Sequence, residues 1–450
     1  MEFRKRRFYQ VLTDRFASSN QKACTNLRHY CGGDYKGMIS KLDYIKDLGY
    51  NAIWISPTVA QAENDNGAYH GYWFSDFYAS NPRFGTDQDL KNMVKEAHKR
   101  DIYVIADVVY NHVGGCRGGR KDFSCIKTFP HADQYHDDCE INDYNNEWQV
   151  MNCRLSGLPD LNQQNPNVKN ELLKWAQWYI KEYNFDGYRI DTIKHVQHEF
   201  WQELRKVTPW YNIGEIFDGS YDKIKSFMNR NEVFTAFEYP LYYQIGSTIG
   251  GGQSMYGLSN VFFEAQRKFG DSQRDFGVFF ENHDNPRFLS QHGNDLKKYE
   301  NAITLVSTWI GVPYLYYGCE QDMKGGADPD NRRALWDAGY STSKHHYQFI
   351  KTLNNMRKKF AFESLNQQEA YVKDDFYAYM RGDKVLVALT NKGQNAAQVH
   401  YKIPTAFPGN TKICNIFFGT ADCISTHLDG SADIFLDKGE SKVFVRQTDL

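Results

Sequence analysis

Three acidic residues each stand at the carboxyl end of a short apolar segment of the kind that forms a buried strand. They are Asp191, Glu215 and Asp284. In a β/α barrel the carboxyl ends of the parallel strands surround one pocket, so we expect the three carboxylates to meet there. Such a group suits a reaction that passes through a positively charged, oxocarbenium-like centre, as the hydrolysis of a glycosidic bond does.

A cation precedes the first of these carboxylates. Arg189 lies two residues before Asp191, and alternate residues of a strand point to the same face. We expect the fixed charge of Arg189 to keep Asp191 ionised near neutral pH, although a purely structural ion pair is the alternative. Glu215 has no cation nearby in the sequence, and an apolar, like-charged setting would raise its pKa towards the working pH.

The elements that must position these residues alternate between strand and helix over the first two-thirds of the chain. Strand patterns lie at 8–16, 52–56 and 102–109, and helical patterns lie at 37–48, after Thr86 and, alternating with strands, from 168 to 315. Repeated β-then-α units predict a parallel sheet with right-handed crossovers. Their number favours a closed (β/α)8 TIM barrel. A doubly wound α/β fold is the alternative, but no glycine-rich phosphate-binding motif follows the first strand.

Two regions depart from this alternation. Residues 112–167 are rich in Gly, Asp, Asn and Cys and are too long for an ordinary loop, so we predict a small domain inserted after the third strand. From residue 363 the apolar residues recur every second position, which predicts a C-terminal antiparallel β-sandwich over 363–450. The barrel would then comprise 1–111 and 168–362.

The composition excludes some partners. The chain has 450 residues and a formal net charge of -2, which argues against nucleic acid or an anionic membrane surface. No apolar run is long enough to span a bilayer. We expect a monomer with neither nucleic acid nor a membrane as its partner.

Eight of the nine cysteines form close sequential pairs in loop-like segments. The pairs are Cys24 with Cys31, Cys116 with Cys125, Cys139 with Cys153, and Cys414 with Cys423, and Cys319 is left over. Disulfides at such places indicate an oxidising compartment, so we expect a secreted protein whose signal peptide has been removed. Because the first residues carry no apolar signal-peptide core, an intracellular protein with free buried thiols is the alternative.

Four segments, in order along the chain, resemble the signature regions of the α-amylase family (glycoside hydrolase family 13). They are 107–112, 187–195, 214–215 and 280–284, and further matches lie at 13–16, 69–73, 158–160 and at Asp328-Pro329 with Arg332. The likeness is greatest to the secreted fungal-type enzymes. It implies an endo-acting, retaining hydrolase of α-1,4-glucosidic bonds in starch or glycogen, which releases maltooligosaccharides by double displacement.

The resemblance assigns roles to particular residues. It implies that Asp191 is the nucleophile, that Glu215 is the general acid and then the base, and that Asp284 grips sugar hydroxyls and favours the charged ring. The substrate-binding residues it implies are Tyr72, Trp73, His112, Arg189, Lys194, His283, Asp328 and Arg332. A structural role is the alternative for each of these when it is taken alone.

A structural calcium ion is also implied by the resemblance. Its ligands would be the Asn111 amide, the Asp160 carboxylate, and the main-chain carbonyls of His195 and Met151. Hard oxygen donors of this kind are the ones that Ca²⁺ prefers. The ion would hold the inserted domain against the barrel. A polar cluster without calcium is the alternative.

Some features differ from the fungal enzymes, and other functions remain open. The Cys116–Cys125 pair lies outside their usual set, and Cys319 stands where they have Gly or Ala. A transglycosylase or an α-1,6-active enzyme on the same fold is the first alternative function. A non-catalytic glucan-binding protein is the second, although such relatives usually lose a carboxylate. We discount a metal-dependent hydrolase because the sequence shows no His/Asp cluster with ligand spacing.

Overall fold

The computed structural model describes residues 2–62 and 67–450. Eight parallel strands form a barrel, in the spatial order β6-β5-β4-β3-β2-β1-β8-β7. A parallel bridge between Phe237 and Gly277 joins the end of β6 to β7. The barrel strands are β1 (Phe8–Val11), β2 (Ala52–Ile55), β3 (Tyr103–Val108), β4 (Gly187–Ile190), β5 (Tyr211–Gly214), β6 (Thr235–Ala236), β7 (Gly277–Val278) and β8 (Val312–Tyr316). The predicted TIM barrel is thus confirmed.

Most of the helices surround the barrel and cover its outer face, and one short helix lies in the segment inserted after the third strand. The helices are α1 (Thr13–Phe16), α2 (Tyr35–Ser40), α3 (Leu42–Asp47), α4 (Asp87–His98), α5 (Glu147–Asn152), α6 (Pro166–Tyr183), α7 (His198–Val207), α8 (Tyr221–Asn229), α9 (Tyr239–Ile245), α10 (Tyr256–Phe269), α11 (Phe288–Gln291), α12 (Leu296–Thr308) and α13 (His345–Lys359). Apolar residues at helical spacing turn inward, as Leu90, Met93, Val94 and Ala97 of α4 do.

Two predicted elements near the amino terminus are divided in the structure. The strand predicted at 8–16 ends at Val11, and a single helical turn, α1, follows it. The helix predicted at 37–48 begins earlier, at Tyr35, because the Asp34 side chain accepts a hydrogen bond from Gly37 N. It breaks at Lys41, whose backbone leaves the helical conformation between α2 and α3.

Capping fixes the start of α4 as the sequence predicts. The Thr86 hydroxyl accepts from Asp89 N at 3.1 Å, and the Asp89 carboxylate accepts from Thr86 N at 3.0 Å. These reciprocal bonds satisfy main-chain groups that the first helical turn leaves unpaired. The helix leads directly into β3, the strand that ends beside the site.

Aromatic and branched side chains fill the barrel interior. Phe8 stacks on Tyr314 with ring centroids 4.4 Å apart, and Trp54 lies 5.1 Å from Phe237. This packed core closes the barrel below the site, so that a ligand enters only at the carboxyl ends of the strands.

The long segment between β3 and α6 contains only short elements. It contains α5 and two disulfides, Cys116–Cys125 and Cys139–Cys153. Isolated bridges pair His112 with Asp160 and Tyr135 with Leu161. Disulfides and a few bridges therefore hold a segment that has little regular structure. The domain limits at 112, 168 and 363 stay predictions.

The C-terminal part folds into two antiparallel sheets. The larger has the order β9-β10-β11-β16-β13-β14, and β12 pairs with β15 in the smaller. These strands are β9 (Gln367–Lys373), β10 (Phe376–Arg381), β11 (Val385–Thr390), β12 (Val399–Pro404), β13 (Lys412–Asn415), β14 (Cys423–Ser425), β15 (Ser431–Leu436) and β16 (Lys442–Arg446). Phe376 and Phe444 from one sheet share a core with Ile403 and Ile434 from the other, as the predicted sandwich requires.

All four predicted cysteine pairs are bonded, including Cys24–Cys31 and Cys414–Cys423. Cys319 is a free, buried thiol. Within the described residues, no helix is both long and apolar enough to cross a membrane.

Candidate active site

A cavity of about 510 Å³ opens at the carboxyl ends of the barrel strands. Asp191 follows β4, Glu215 follows β5, and Asp284 lies in the segment after β7. All three carboxylates line this cavity. Its other lining residues are Tyr72, His112, Tyr144, Leu155, Thr192, Lys194, His195, Phe217 and His283. The barrel thus gathers the three acidic residues as the sequence predicts.

Arg189 connects the acidic groups beneath the cavity. Its Nη1 lies 2.6 Å from Asp191 Oδ1, and its Nη2 lies 2.9 Å from Glu215 Oε1. The guanidinium is buried, with 1% of its side chain exposed. Two carboxyl groups are therefore held by one fixed cation. Glu215 has no cation nearby in the sequence, but the parallel pairing of β4 with β5 brings Arg189 to it from the adjacent strand.

Glu215 is held at the junction of two strand exits. Thr192 N donates to its Oε2 at 3.0 Å. A Cβ at Gly214 would lie 2.9 Å from Ile193 Cγ1, so glycine permits the close approach of the segments after β4 and β5. Burial raises the pKa of Glu215 to about 8, against the lowering effect of Arg189 and with a further increase from Asp191 and Asp284.

Asp107, at the end of β3, is a third partner of Arg189. The carboxylate is fully buried, and Arg189 Nη1 lies 3.0 Å from its Oδ1. Trp54 Nε1 donates to Oδ2 at 2.9 Å, and the Tyr72 hydroxyl donates to the same oxygen at 2.8 Å. Burial raises the pKa of Asp107 to about 7, although Arg189 opposes this. The carboxylate thus orients Arg189 and Tyr72 without facing the cavity.

A hydrogen-bond chain sets the tautomer of His283. Gln10 Nε2 lies 2.7 Å from His283 Nδ1, and the Tyr72 hydroxyl lies 2.8 Å from His283 Nε2. Because the Tyr72 hydroxyl already donates to Asp107, it accepts from Nε2–H, and Nδ1 accepts from Gln10. Burial lowers the pKa of His283 well below its usual value, so the ring is neutral. The Tyr72 ring stacks on it with centroids 5.4 Å apart.

Asp284 and Arg332 extend the polar wall on one side. Arg332 Nη2 lies 3.5 Å from Asp284 Oδ1, and its Nη1 lies 3.2 Å from Asp328 Oδ1. Arg332 Nε also donates to the His283 carbonyl at 2.9 Å. Arg332 and Asp328 therefore lie beside the third carboxylate, outside the lining of the cavity.

The remaining predicted contacts are distributed around the rim. Lys194 lines the cavity and forms a 3.3 Å ion pair with Asp218. His112 lines it with a buried Nε2 that has no hydrogen-bond partner within the described residues. Trp73 stays outside the lining and packs edge-on against His70, with centroids 4.8 Å apart.

A cluster of oxygens lies where the inserted segment meets the barrel. One atom of the Asn111 amide lies 2.9 Å from the His195 carbonyl oxygen and 3.0 Å from Asp160 Oδ1. If the amide oxygen faces them, three oxygens converge with no proton between them, an arrangement that a cation stabilises. If the nitrogen faces them, the amide donates to both. Burial raises the pKa of Asp160 to about 7, although His136, 2.6 Å from Asp160 Oδ2, opposes this.

The carbonyl of Met151 is provided by α5. It accepts from Gln197 Nε2 at 2.7 Å, and the neighbouring Val150 carbonyl lies 3.0 Å from His195 Nδ1. These contacts join α5 to the segment after β4, which begins with Asp191. The donors present are carboxylate, amide and carbonyl oxygens, which fit Ca²⁺.

Several residues of the site were not singled out from the sequence. Asp107 lies in the matched segment 107–112, but the spacing of residues along its strand does not show that it contacts Arg189. Phe217 and Tyr144 line the cavity, with 39% and 62% of their surface exposed. Tyr239 places its hydroxyl 3.5 Å from Glu215 Oε1. The sequence shows which residues follow the end of a strand, but it does not show which loops fold over the cavity.

Together the fold and the cavity define a barrel enzyme with a carboxylate-lined cleft. The family model for the α-amylase catalytic domain matches residues 10–375. "Alpha-amylase 1" of Lipomyces kononenkoae is 38% identical over 84% of this chain, and the match spans 60% of that protein. "Alpha-amylase 2" of Schwanniomyces occidentalis is 33% identical over 98% of this chain and 90% of its own length. The α-amylase of Malbranchea cinnamomea superposes with a TM-score of 0.93 at 33% identity, covering 100% of this chain and 98% of that one.

The chain belongs to the α-amylase family. The predicted resemblance and the predicted enzyme class are confirmed by these relatives.

Proposed function

We propose that the chain is an endo-acting, retaining hydrolase of α-1,4-glucosidic bonds that cuts starch or glycogen into maltooligosaccharides. The contact of Asp191 and Glu215 with one guanidinium carries this proposal. Carboxyl groups that share one Arg lie close together, as double displacement requires of its nucleophile and its acid. The named relatives and the open cleft support the same activity.

Asp191 is the nucleophile in this proposal. Its carboxylate attacks the anomeric carbon and forms a glycosyl ester as the bond to the leaving oxygen breaks. Arg189 lies 2.6 Å from Oδ1 and stabilises the ionised form before attack. Asp107 holds the same guanidinium from the far side, so Arg189 is oriented before the substrate binds.

Glu215 supplies and then recovers the proton. With a pKa of about 8, the carboxyl group is protonated at neutral pH and gives its proton to the leaving oxygen. The resulting carboxylate is stabilised by Arg189 and by Thr192 N–H. It then takes a proton from the water that hydrolyses the ester on Asp191, which restores both groups.

Asp284 and the neutral His112 bind the sugar at the cleaved bond, and His283 lines the same cavity with both ring nitrogens bonded to Gln10 and Tyr72. Asp284 lines the cavity opposite the Arg189 network and accepts from sugar hydroxyls. The unpaired Nε2 of His112 faces the same space. Tyr72 offers an aromatic floor that its bonds to Asp107 and His283 keep in place. Lys194 lies at the leaving-group side, and Arg332 with Asp328 at the far sugar.

The cluster of Asn111, Asp160 and the His195 carbonyl is the proposed calcium site, and the family resemblance adds the Met151 carbonyl as a further ligand. The convergence of oxygens on the Asn111 amide supports it. When bound, the ion supplies positive charge to the buried Asp160 carboxylate and joins the inserted segment to the barrel. Its role is structural, because the cluster lies outside the proton-transfer groups.

We also propose that the protein acts as a secreted monomer. The four disulfides support an oxidising compartment. The formal net charge of -2 supports an uncharged polysaccharide as the substrate.

Incubation with starch, with analysis of reducing ends and of product structure by NMR, tests the activity. We expect short linear maltooligosaccharides that are released with the α configuration. Cyclic or lengthened products would assign the chain to the transglycosylases, and cleavage restricted to branch points would assign it an α-1,6 activity. Starch binding without any turnover would indicate a non-catalytic glucan-binding protein.

A further inference from the structure

Glu300, His345 and His346 form a cluster far along the chain from the catalytic segments. Glu300 lies on α12, and the two histidines begin α13. His345 Nε2 lies 2.9 Å from Glu300 Oε1, and His346 Nε2 lies 3.9 Å from the same oxygen. Each residue offers one ligand atom, and these atoms all lie within 4.8 Å of one another. Two imidazole nitrogens and one carboxylate oxygen are a donor set that zinc takes in proteins.

His346 has the environment of a metal ligand. Only 1% of the residue is exposed, and its Nδ1 lies 2.5 Å from Asp322 Oδ1. Its buried Nε2 makes no hydrogen bond within the described residues. A carboxylate on one ring nitrogen fixes the tautomer and directs the other nitrogen to a metal. A buried nitrogen without a partner costs free energy, and a bound cation would remove that cost.

The two oxygens of Glu300 are engaged differently. Lys297 Nζ lies 2.8 Å from Oε2 and 3.0 Å from Oε1, and both imidazoles face Oε1. A metal on Oε1 would displace the ammonium group from that oxygen, and the ammonium group would keep its contact with Oε2. Tetrahedral zinc places its ligand atoms about 3.3 Å apart, and the observed 2.9 and 3.9 Å lie on either side of that value. Small side-chain rotations suffice, since the His345 side chain is 65% exposed.

The charged groups around the cluster offset one another. Lys297 faces Glu300, and Lys344 lies 3.5 Å from Asp322. A cavity of about 250 Å³ borders Glu300 and His345, and Phe417 and Phe418 of the C-terminal part form another wall of it. It leaves room for water as a fourth ligand. Nitrogen donors exclude calcium as the preferred ion here.

We propose that Glu300, His345 and His346 bind one divalent transition-metal ion, with Zn²⁺ as the ion that fits, and that this ion joins α12 to α13 beside the C-terminal sheets. The site is separate from the cleft and from the calcium cluster. It is stabilising and takes no part in the chemistry. Its binding does not depend on the proposed glucan hydrolysis.

Zinc titration of the calcium-saturated protein by isothermal titration calorimetry tests the site. We expect one Zn²⁺ per chain and a rise in the melting temperature. His345→Gln removes a ligand from a largely exposed position, so the variant folds, and both effects should disappear. Asp322→Asn should weaken zinc binding about 10–100-fold, because it removes the group that orients His346.

His400→Gln is the matched control. His400 Nε2 lies 2.9 Å from Asp433 Oδ1 on the C-terminal sheets, and His427 contacts the same carboxylate at 2.7 Å. The His400→Gln protein should bind zinc as the parent does. Cobalt in place of zinc should give the intense visible bands of a tetrahedral site, and these should be absent in His345→Gln. No zinc binding by the parent, binding that persists in His345→Gln, or binding that is lost in His400→Gln would overturn the proposal.

Discussion

Arg189 Nη2 lies 2.9 Å from Glu215 Oε1, a contact between residues of adjacent barrel strands. The same guanidinium contacts Asp191, so one cation lies against both the proposed nucleophile and the proposed acid. Once Asp191 has formed the glycosyl ester, the ionised Glu215 still faces that cation. Arg189 therefore offers positive charge both to the attacking Asp191 carboxylate and to Glu215 after it has released its proton.

Arg189→Lys should lower kcat at least about 100-fold, because a single ammonium group does not reproduce the two-pronged contacts of guanidinium. KM should change less, since Arg189 lies beneath the cavity and does not line it. Steady-state kinetics on a maltooligosaccharide would measure both.

Arg381→Lys is the control, because it removes a similarly buried guanidinium that donates to the Phe362 and Leu365 carbonyls. It should reduce stability and leave kcat of the folded protein near normal. Equal losses of kcat in the two variants would contradict the role of Arg189.

The value of kcat/KM should fall as the pH rises through about 8, because Glu215 then loses the proton that it must donate. A pH profile of kcat/KM measures this alkaline limb. Glu238 provides a control, since burial also raises its pKa to about 8 but its partner is the Tyr221 hydroxyl, outside the cavity. Glu238→Gln should keep the limb. If the alkaline limb moves in this variant, the titration belongs to Glu238 and the assignment to Glu215 is wrong.

Glu215→Gln should reduce turnover by at least about 100-fold and retain glucan binding. It should also alter how stability depends on pH. The folded-state pKa of Glu215 is raised, so its contribution to stability is fully present below the unfolded-state pKa and declines as the pH rises through about 8. The variant lacks this decline. The melting temperature of the variant minus that of the parent should therefore be larger at pH 9 than at pH 5. Turnover near the parent rate would show that another group is the acid.

Calcium removal should lower the melting temperature. A ligand present at about 100 times its dissociation constant stabilises the folded state by about 2.7 kcal/mol. Differential scanning calorimetry of zinc-free protein with and without EDTA would measure the shift, since EDTA also removes Zn²⁺. Asp160→Asn should bring the melting temperature down and abolish the EDTA effect. Asp138→Asn is the control, because Asp138 pairs with Arg120 and Arg154 in the same inserted segment. An EDTA effect that is the same in both variants would place the ion elsewhere.

The sequence predicted the barrel and the meeting of three carboxylates because both follow from local patterns. Apolar segments define the strands, and the parallel topology places residues such as Asp191 and Glu215 at one end. The side-chain contacts between neighbouring strands could not be predicted from the sequence. The Arg189–Glu215 pair depends on the register of β4 against β5, and no spacing within one segment contains that information. The Glu300 cluster was missed for a similar reason, since the packing of α12 on α13 creates it.

Tyr72→Phe should reduce kcat/KM about 10-fold, by removing a hydroxyl that joins Asp107 to His283. The aromatic ring remains, so the loss reports the hydrogen bonds alone: Asp107 is left with one fewer donor, and the His283 Nε2–H loses its acceptor. Tyr35→Phe removes a buried hydroxyl outside the cavity, and it should leave kinetics unchanged. Tyr72 and Gln10 both hold the His283 ring in position. Replacing Gln10 by Leu, which removes the donor to His283 Nδ1, should therefore lower kcat/KM less in the Tyr72→Phe variant than in the parent. Strict additivity in that double-mutant cycle would show that the chain from Gln10 to Asp107 does not act as a unit.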